Sequence, residues 1–153
     1  RLLRALEVYL ETGETITEHN RRTQALPPRF TPLWLGLDFE NRQSLYHRID
    51  LRVTHMLEAG LLQEIRSLLQ SGVPDTATAM QAIGYKEFVS ALEGHGTVEA
   101  AADSVRQSSR RYAKRQLTWF RRNPAIHWLI REDETSGEEI FRSARQIIQE
   151  FDK

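Results

Sequence analysis

The sequence predicts an α/β fold that is mostly helical and contributes two strands to a parallel sheet. Two short apolar segments, residues 33–39 and residues 126–130, carry that prediction. The first reads Leu-Trp-Leu-Gly-Leu-Asp-Phe and is apolar on both faces, as is typical of a strand buried between helices. Since two strands do not form a stable sheet alone, either both pair with strands that this chain lacks or their prediction as strands is wrong.

The chain begins directly in a helical pattern. Apolar residues at positions 2, 3, 6 and 10 lie on one helical face, and neither a capping residue nor a Met precedes them. We therefore expect a helix that has been cut, in a chain that is part of a longer protein. Gly13 is suited to end this helix.

A second helix and a loop are predicted next. Thr15 and Glu18 form a capping box that begins a short helix. Residues 19–32 contain three prolines and several arginines, so they are predicted to form a loop. This loop is the expected boundary between residues 1–32 and residues 33–153.

Five further helices are predicted, each with a cap residue before it or a Gly or Pro after it. They cover residues 42–59, 61–70, 85–92, 98–122 and 137–151.

Composition excludes several classes of protein. With 153 residues, 40% of them hydrophobic and 27% charged, the chain is neither disordered, collagen-like nor a multi-span membrane protein. The absence of cysteine excludes disulfides, thiolate nucleophiles and cysteine zinc sites. The 21 basic and 21 acidic residues cancel, and zero net charge alone does not favour nucleic acid as a partner.

The predicted long helix breaks this charge balance. Seven basic residues lie between positions 106 and 122, and no acid occurs between Asp103 and Glu132. A stripe of four cations suits a polyanion such as a phosphate backbone or a diphosphate, although a solvated basic face explains it equally well. The stripe consists of Arg106, Arg110, Lys114 and Arg121. A different arc is expected to face the core: Val98, Ala101, Ala102, Val105, Tyr112, Trp119 and Phe120.

Two other features are compatible with anion binding. Arg52 lies at the edge of an apolar helical stripe, where an arginine either extends along apolar surface to water or binds an anion. Residues 81–86 place Gly84 just before a helix, but an ordinary loop-to-helix junction explains this pattern too. No glycine-rich nucleotide loop, serine elbow or zinc-type spacing occurs, so the sequence shows no complete catalytic machinery.

Five segments, in order along the chain, resemble a known family. They are Arg1–Tyr9, Leu45–Arg52, Met56–Leu61, Met80–Lys86 and Arg110–Arg121. Together they resemble the C-terminal half of the bacterial tRNA dimethylallyltransferase (tRNA isopentenyltransferase) family, from Arg1 to about Trp128.

The resemblance implies a core similar to P-loop nucleoside kinases, an ATP-binding type of fold, with a helical insertion that grips the tRNA anticodon stem-loop. Residues 1–32 would be the end of that insertion and residues 33–153 the C-terminal part of the catalytic core. The implied reaction transfers a dimethylallyl group from dimethylallyl diphosphate to N6 of adenosine 37 in tRNA. The complete enzyme is expected to use Mg²⁺, with no metal ligand in this chain, and to be cytoplasmic, monomeric and not bound to a membrane.

The resemblance also implies roles for individual residues. Arg52 matches the catalytic arginine that binds the diphosphate, and Trp119 or Tyr85 could contact an extruded adenine. The P-loop and general base of the family lie upstream of Arg1, so the chain alone is expected to be inactive. A non-catalytic helical domain that binds RNA or a partner is the alternative. The residues that match tRNA-contacting segments are Arg1, Leu2, Leu3, Arg4, Gln81, Ala82, Ile83, Gly84, Tyr85, Lys86, Arg110, Lys114, Arg115, Gln116, Leu117, Thr118, Trp119, Phe120 and Arg121.

Overall fold

The computed structural model describes residues 2–27, 29–132 and 134–151. It divides into two compact units, Arg1–Pro32 and Leu33–Lys153. The assignment of these units to an RNA-gripping insertion and a catalytic core stays a prediction.

The first unit contains two helices, α1 (Leu2–Thr12) and α2 (Ile16–Ala25). Gly13, with φ of 72°, ends α1, and the predicted capping box begins α2. The prediction that residues 19–32 are all loop is wrong, because α2 continues to Ala25. The helix ends at Leu26, which has an extended conformation and precedes Pro27, since a residue before proline is disfavoured in the helical region.

The second unit contains the two predicted strands and the five predicted helices. In chain order they are β1 (Trp34–Phe39), α3 (Arg42–Glu58), α4 (Leu61–Gln70), α5 (Lys86–Leu92), α6 (Val98–Phe120), β2 (Ile126–Arg131) and α7 (Gly137–Phe151). A 3₁₀ turn, Thr78–Gln81, precedes α5 and was not predicted. No helix in the described part of the chain is both long enough and apolar enough to cross a membrane.

The two strands pair in parallel, from Trp34 opposite Ile126 to Phe39 opposite Arg131, which confirms the predicted parallel sheet. The expectation of a fully buried strand is wrong, because Leu35 and Leu37 are 39% and 53% exposed. The reason is that the sheet has two strands within the described residues, so one edge and part of the faces of β1 stay uncovered.

Helices α3 to α6 enclose the hydrophobic core of the second unit. Its buried side chains are Val53, Leu61, Ile65, Met80, Phe88, Val89, Ala101, Ala102 and Val105. The first half of the predicted core arc of α6 is therefore confirmed, but Tyr112 and Trp119 are 49% and 63% exposed. The 23 residues of α6 extend roughly 35 Å, so its second half runs beyond the packed core.

Candidate functional site

Three of the four cations of the α6 stripe lie against acids. Arg110 Nη1 donates to both carboxylate oxygens of Asp50 on α3, at 2.6 and 2.8 Å. One turn earlier, Arg106 donates to Asp103 at 2.7 Å and to the hydroxyl of Thr54 at 3.1 Å. The contacts to Asp50 and Thr54 join α6 to α3, whereas Asp103 is on α6 itself. Both arginines therefore already have partners that compete with any external anion.

Arg121 has the most buried of these partners. Its Nη2 donates to Asp38 Oδ2 at 2.6 Å, while the backbone N–H of Phe39 donates to Asp38 Oδ1 at 2.8 Å. Asp38 is only 5% exposed, and a buried carboxylate is stable only when it is paired or hydrogen-bonded. Sequence reasoning did not single out Asp38, although an acid inside an otherwise apolar strand was an available signal.

An apolar cavity of about 390 Å³ lies beside this pair, between the sheet and the second half of α6. Its lining includes Trp34, Asp38, Leu117, Phe120 and Trp128. Leu117 and Phe120, predicted to contact tRNA, are half-buried here. Their side chains therefore line an apolar wall.

The exposed members of the predicted tRNA set on α6 are Lys114, Arg115, Gln116, Thr118 and Trp119. Gln116 also lines the cavity. The guanidinium carbon of Arg115 lies 5.8 Å from the ring centroid of Tyr112, and Lys114 makes no ion pair with any described residue. This surface combines free positive charge with an exposed aromatic side chain.

Residues 81–86 are fixed at the edge of the core. Gly84 is buried with φ of 100°, and its N–H donates to Glu87 Oε2 at 2.9 Å. The hydroxyl of Tyr85 donates to Glu64, and this hydrogen bond raises the pKa of Tyr85 above its ordinary value. Ile83 and Tyr85 are half-buried, whereas Gln81, Ala82 and Lys86 face solvent.

Arg52 lies on the exposed side of α3. Within the described residues it forms no ion pair or side-chain hydrogen bond, in contrast to Arg110 on the facing helix. Met56, one turn later, packs beside Gly84, because its Cε lies 3.9 Å from where a Cβ of Gly84 would be. Arg52 is thus a free cation on the same helix that supports residues 81–86.

In the first unit, Leu2 and Leu3 are 80% and 77% exposed. Arg4 makes an exposed ion pair with Glu7 at 3.3 Å. Arg1, also predicted to contact tRNA, lies outside the described residues.

The described residues include no cluster of three or more metal-ligating His, Asp or Glu side chains. Asp38 and Asp50 form ion pairs with Arg121 and Arg110. No Mg²⁺ chemistry is therefore assigned to residues of this chain.

Comparison with known proteins identifies relatives over nearly the whole chain. The family model described as IPP transferase matches residues 1–123. A tRNA dimethylallyltransferase of Thermoanaerobacter sp. is 42% identical over 92% of this chain and 45% of its own length. One of Carboxydothermus hydrogenoformans is 43% identical over 98% of this chain and 46% of its own length.

Two solved structures are similar as well. The tRNA isopentenylpyrophosphate transferase of Staphylococcus epidermidis has a TM-score of 0.71 and 36% identity, over 96% of this chain and 48% of that protein. The full-length enzyme of Bacillus halodurans has a TM-score of 0.72 and 36% identity, over 86% and 43%. The chain thus spans about half the length of the curated relatives it matches. By the family model and by these relatives, the chain belongs to the IPP transferase family.

Proposed function

We propose that this chain acts as part of a tRNA dimethylallyltransferase, which transfers a dimethylallyl group from dimethylallyl diphosphate to N6 of adenosine 37 beside the tRNA anticodon. The observation that carries the proposal is 42–43% identity, over more than nine-tenths of the chain, to proteins named tRNA dimethylallyltransferase. A tRNA substrate also supports a cytoplasmic location, and the complete enzyme is proposed to be monomeric.

Arg52 is the proposed diphosphate ligand. When the carbon–oxygen bond to the diphosphate breaks, negative charge grows on the leaving group, and a fixed guanidinium stabilises that charge. Arg52 suits this role because it is exposed and has no described acidic partner. Arg106 and Arg110, by comparison, would first have to leave Asp103 and Asp50.

The tRNA contacts are proposed for exposed surfaces. On α6 these include Lys114 and Arg115, which have no described acidic partner, and the neighbouring Trp119. At the start of α5 they include Gln81, Ala82 and Lys86, and Lys86 Nζ lies 4.0 Å from Glu87 Oε1. Cations beside a phosphate backbone release counterions, and an exposed indole offers a stacking face. In the first unit, the exposed side of α1 with Leu2, Leu3 and Arg4 is proposed to contact the stem-loop. Arg110 and Arg121 are proposed to contribute indirectly, by holding α6 in place through Asp50 and Asp38.

The complete enzyme is proposed to use Mg²⁺, and no ligand for it is assigned to the described residues. The P-loop and general base are likewise proposed to lie in the part of the relatives that this chain does not match.

The test supplies the chain with that missing part. The chain is fused to the unmatched region of a curated relative, and transfer of a radiolabelled dimethylallyl group to tRNA is measured. Arg52→Ala is expected to lower turnover about 100-fold or more, the loss typical of removing one group that stabilises transition-state charge. The Kd for tRNA is expected to change little, because Arg52 is assigned to the diphosphate.

Arg66→Ala is the matched control, since Arg66 is an exposed arginine on the neighbouring helix α4. Turnover of this variant should equal that of the unsubstituted fusion. Equal turnover of Arg52→Ala and Arg66→Ala would remove the proposed role of Arg52. A fusion that binds tRNA but transfers no dimethylallyl group would instead favour a non-catalytic RNA-binding domain.

A further inference from the structure

The two strands end on an aromatic residue and an arginine that lie side by side. Phe39 is the last residue of β1, Arg131 is the last residue of β2, and the two are register partners. Neighbouring residues on paired strands project from the same face, and the guanidinium carbon of Arg131 lies 5.9 Å from the ring centroid of Phe39. The N–H of Glu40 donates to the carbonyl of Arg131 at 3.1 Å, which fixes this end of the sheet.

A second arginine reaches the same ring from α3. The guanidinium carbon of Arg48 lies 5.4 Å from the Phe39 centroid. In the described part of the chain neither Arg48 nor Arg131 makes an ion pair with an acid. Among the described residues, the buried Nε of Arg131 has no hydrogen-bond partner. Two cations therefore share one ring, and a ring contributes only about 0.5–2 kcal/mol to a cation beside it.

The position of this pair favours a ligand. In open α/β sheets, ligands bind outside the carboxyl ends of parallel strands, which is where Phe39 and Arg131 lie. A concave surface with polar donors adjoins Arg48 on α3 and includes Asn41, Gln43, Ser44 and His47. An arginine fork matches the geometry of phosphate oxygens, and two such forks match the charge of a phosphate dianion or a diphosphate.

We propose that Arg48 and Arg131, held by Phe39, form a two-arginine clamp for a phosphoryl oxyanion. The clamp is separate from Arg52 and does not depend on the proposed prenyl transfer, since it predicts anion binding by the chain itself. The oxyanion belongs either to a small diphosphate or to an RNA backbone. Both sources present the same oxygen chemistry.

The test measures binding to the 153-residue chain at low salt by isothermal titration calorimetry, with two probes. One probe is inorganic diphosphate and the other is a short RNA hairpin. Arg48→Ala and Arg131→Ala are each expected to weaken binding about tenfold or more, as loss of a charge-assisted hydrogen bond does. Arg66→Ala, on α4, is the control and is expected to bind like the unsubstituted chain.

The outcomes separate the two sources. Weaker binding of diphosphate by both variants supports the clamp as a small-anion site, and weaker binding of the hairpin alone supports it as a site for an RNA phosphate. The proposal is overturned if both variants bind both probes as Arg66→Ala does, or if the unsubstituted chain binds neither probe. If the circular-dichroism spectrum shows that Arg131→Ala is unfolded, the test rests on binding by Arg48→Ala. Arg48 is exposed, so its removal leaves no buried gap.

Discussion

The pair between Asp38 and Arg121 allows a structural role to be separated from an RNA-binding one. Replacing Arg121 with Ala leaves the carboxylate of Asp38 buried, with the N–H of Phe39 as its single remaining described donor. Hydrogen bonds to charged groups contribute about 1.5–3 kcal/mol. Because the Arg121 side chain is 54% exposed, solvent screens its part of the pair. We therefore expect Arg121→Ala to lower the free energy of unfolding by about 1.5–2 kcal/mol, at the lower end of that range.

The assay is a double-mutant cycle followed by urea unfolding and circular dichroism. It compares the unsubstituted chain with Arg121→Ala, Asp38→Asn and the double variant. The Asn side chain keeps the shape of Asp38 and can still accept from Phe39, but it removes the charge that Arg121 neutralises. A coupling free energy of about 1–2 kcal/mol is expected, with unchanged dependence on urea.

Additive effects would refute this reasoning. A coupling free energy below about 0.5 kcal/mol is within the range found for independent sites. Arg121 would then be free to act in RNA binding, as the sequence resemblance implies. Lys114→Ala is the control, because Lys114 lies on the same stripe without a described acidic partner. It is expected to change the free energy of unfolding by less than about 0.5 kcal/mol.

Two further predictions concern the sheet and residues 81–86. Gly36→Ala should lower the free energy of unfolding by about 1–3 kcal/mol, since the added Cβ would lie 2.8 Å from Trp128. Gly137→Ala is the control in the same denaturation assay, because an added Cβ there meets open space. Equal stability of the two variants would contradict the prediction. Tyr85→Phe should reduce stability at pH values below about 10, the ordinary pKa of tyrosine, and lose that effect as the pH rises above 10 through the raised pKa of Tyr85. The raised pKa of Tyr85 means that its bond to Glu64 is present while the phenol is protonated; urea unfolding across this pH range checks the sign, and a difference that grows with pH would contradict it.

Local sequence signals predicted most of the element boundaries. The capping box predicted at Thr15 is formed, with reciprocal hydrogen bonds to Glu18, and the same arrangement joins Ser136 and Glu139 at the start of α7. Such signals are reliable because every partner lies within four residues along the chain. The end of α2 is an exception. The basic, proline-containing composition of residues 19–32 predicts a loop from residue 19, whereas the helix continues to Ala25, two residues before Pro27.

The arrangement of charges could not be predicted in the same way. Arg110 and Asp50 are 60 residues apart, and Arg121 and Asp38 are 83 residues apart. Periodicity placed Arg110 and Arg121 on one face of α6, but only the packing of α6 on α3 and β1 shows that acids lie opposite. The exposure of Trp119 has the same origin, because a helical pattern does not reveal where the neighbouring helices end.

These pairings change which cations can meet an external anion. On α6 the basic stripe is largely neutralised by acids, whereas on α3 Arg48 and Arg52 are exposed and four residues apart. Like charges at this spacing destabilise a helix by a few tenths of a kcal/mol, and no described acid relieves the repulsion. An anion bound by either arginine would reduce this repulsion, because that guanidinium would gain a charged partner. The cations of α3 that are free to meet an external anion therefore include Arg48 and Arg52, whereas Arg110 on α6 is held by Asp50.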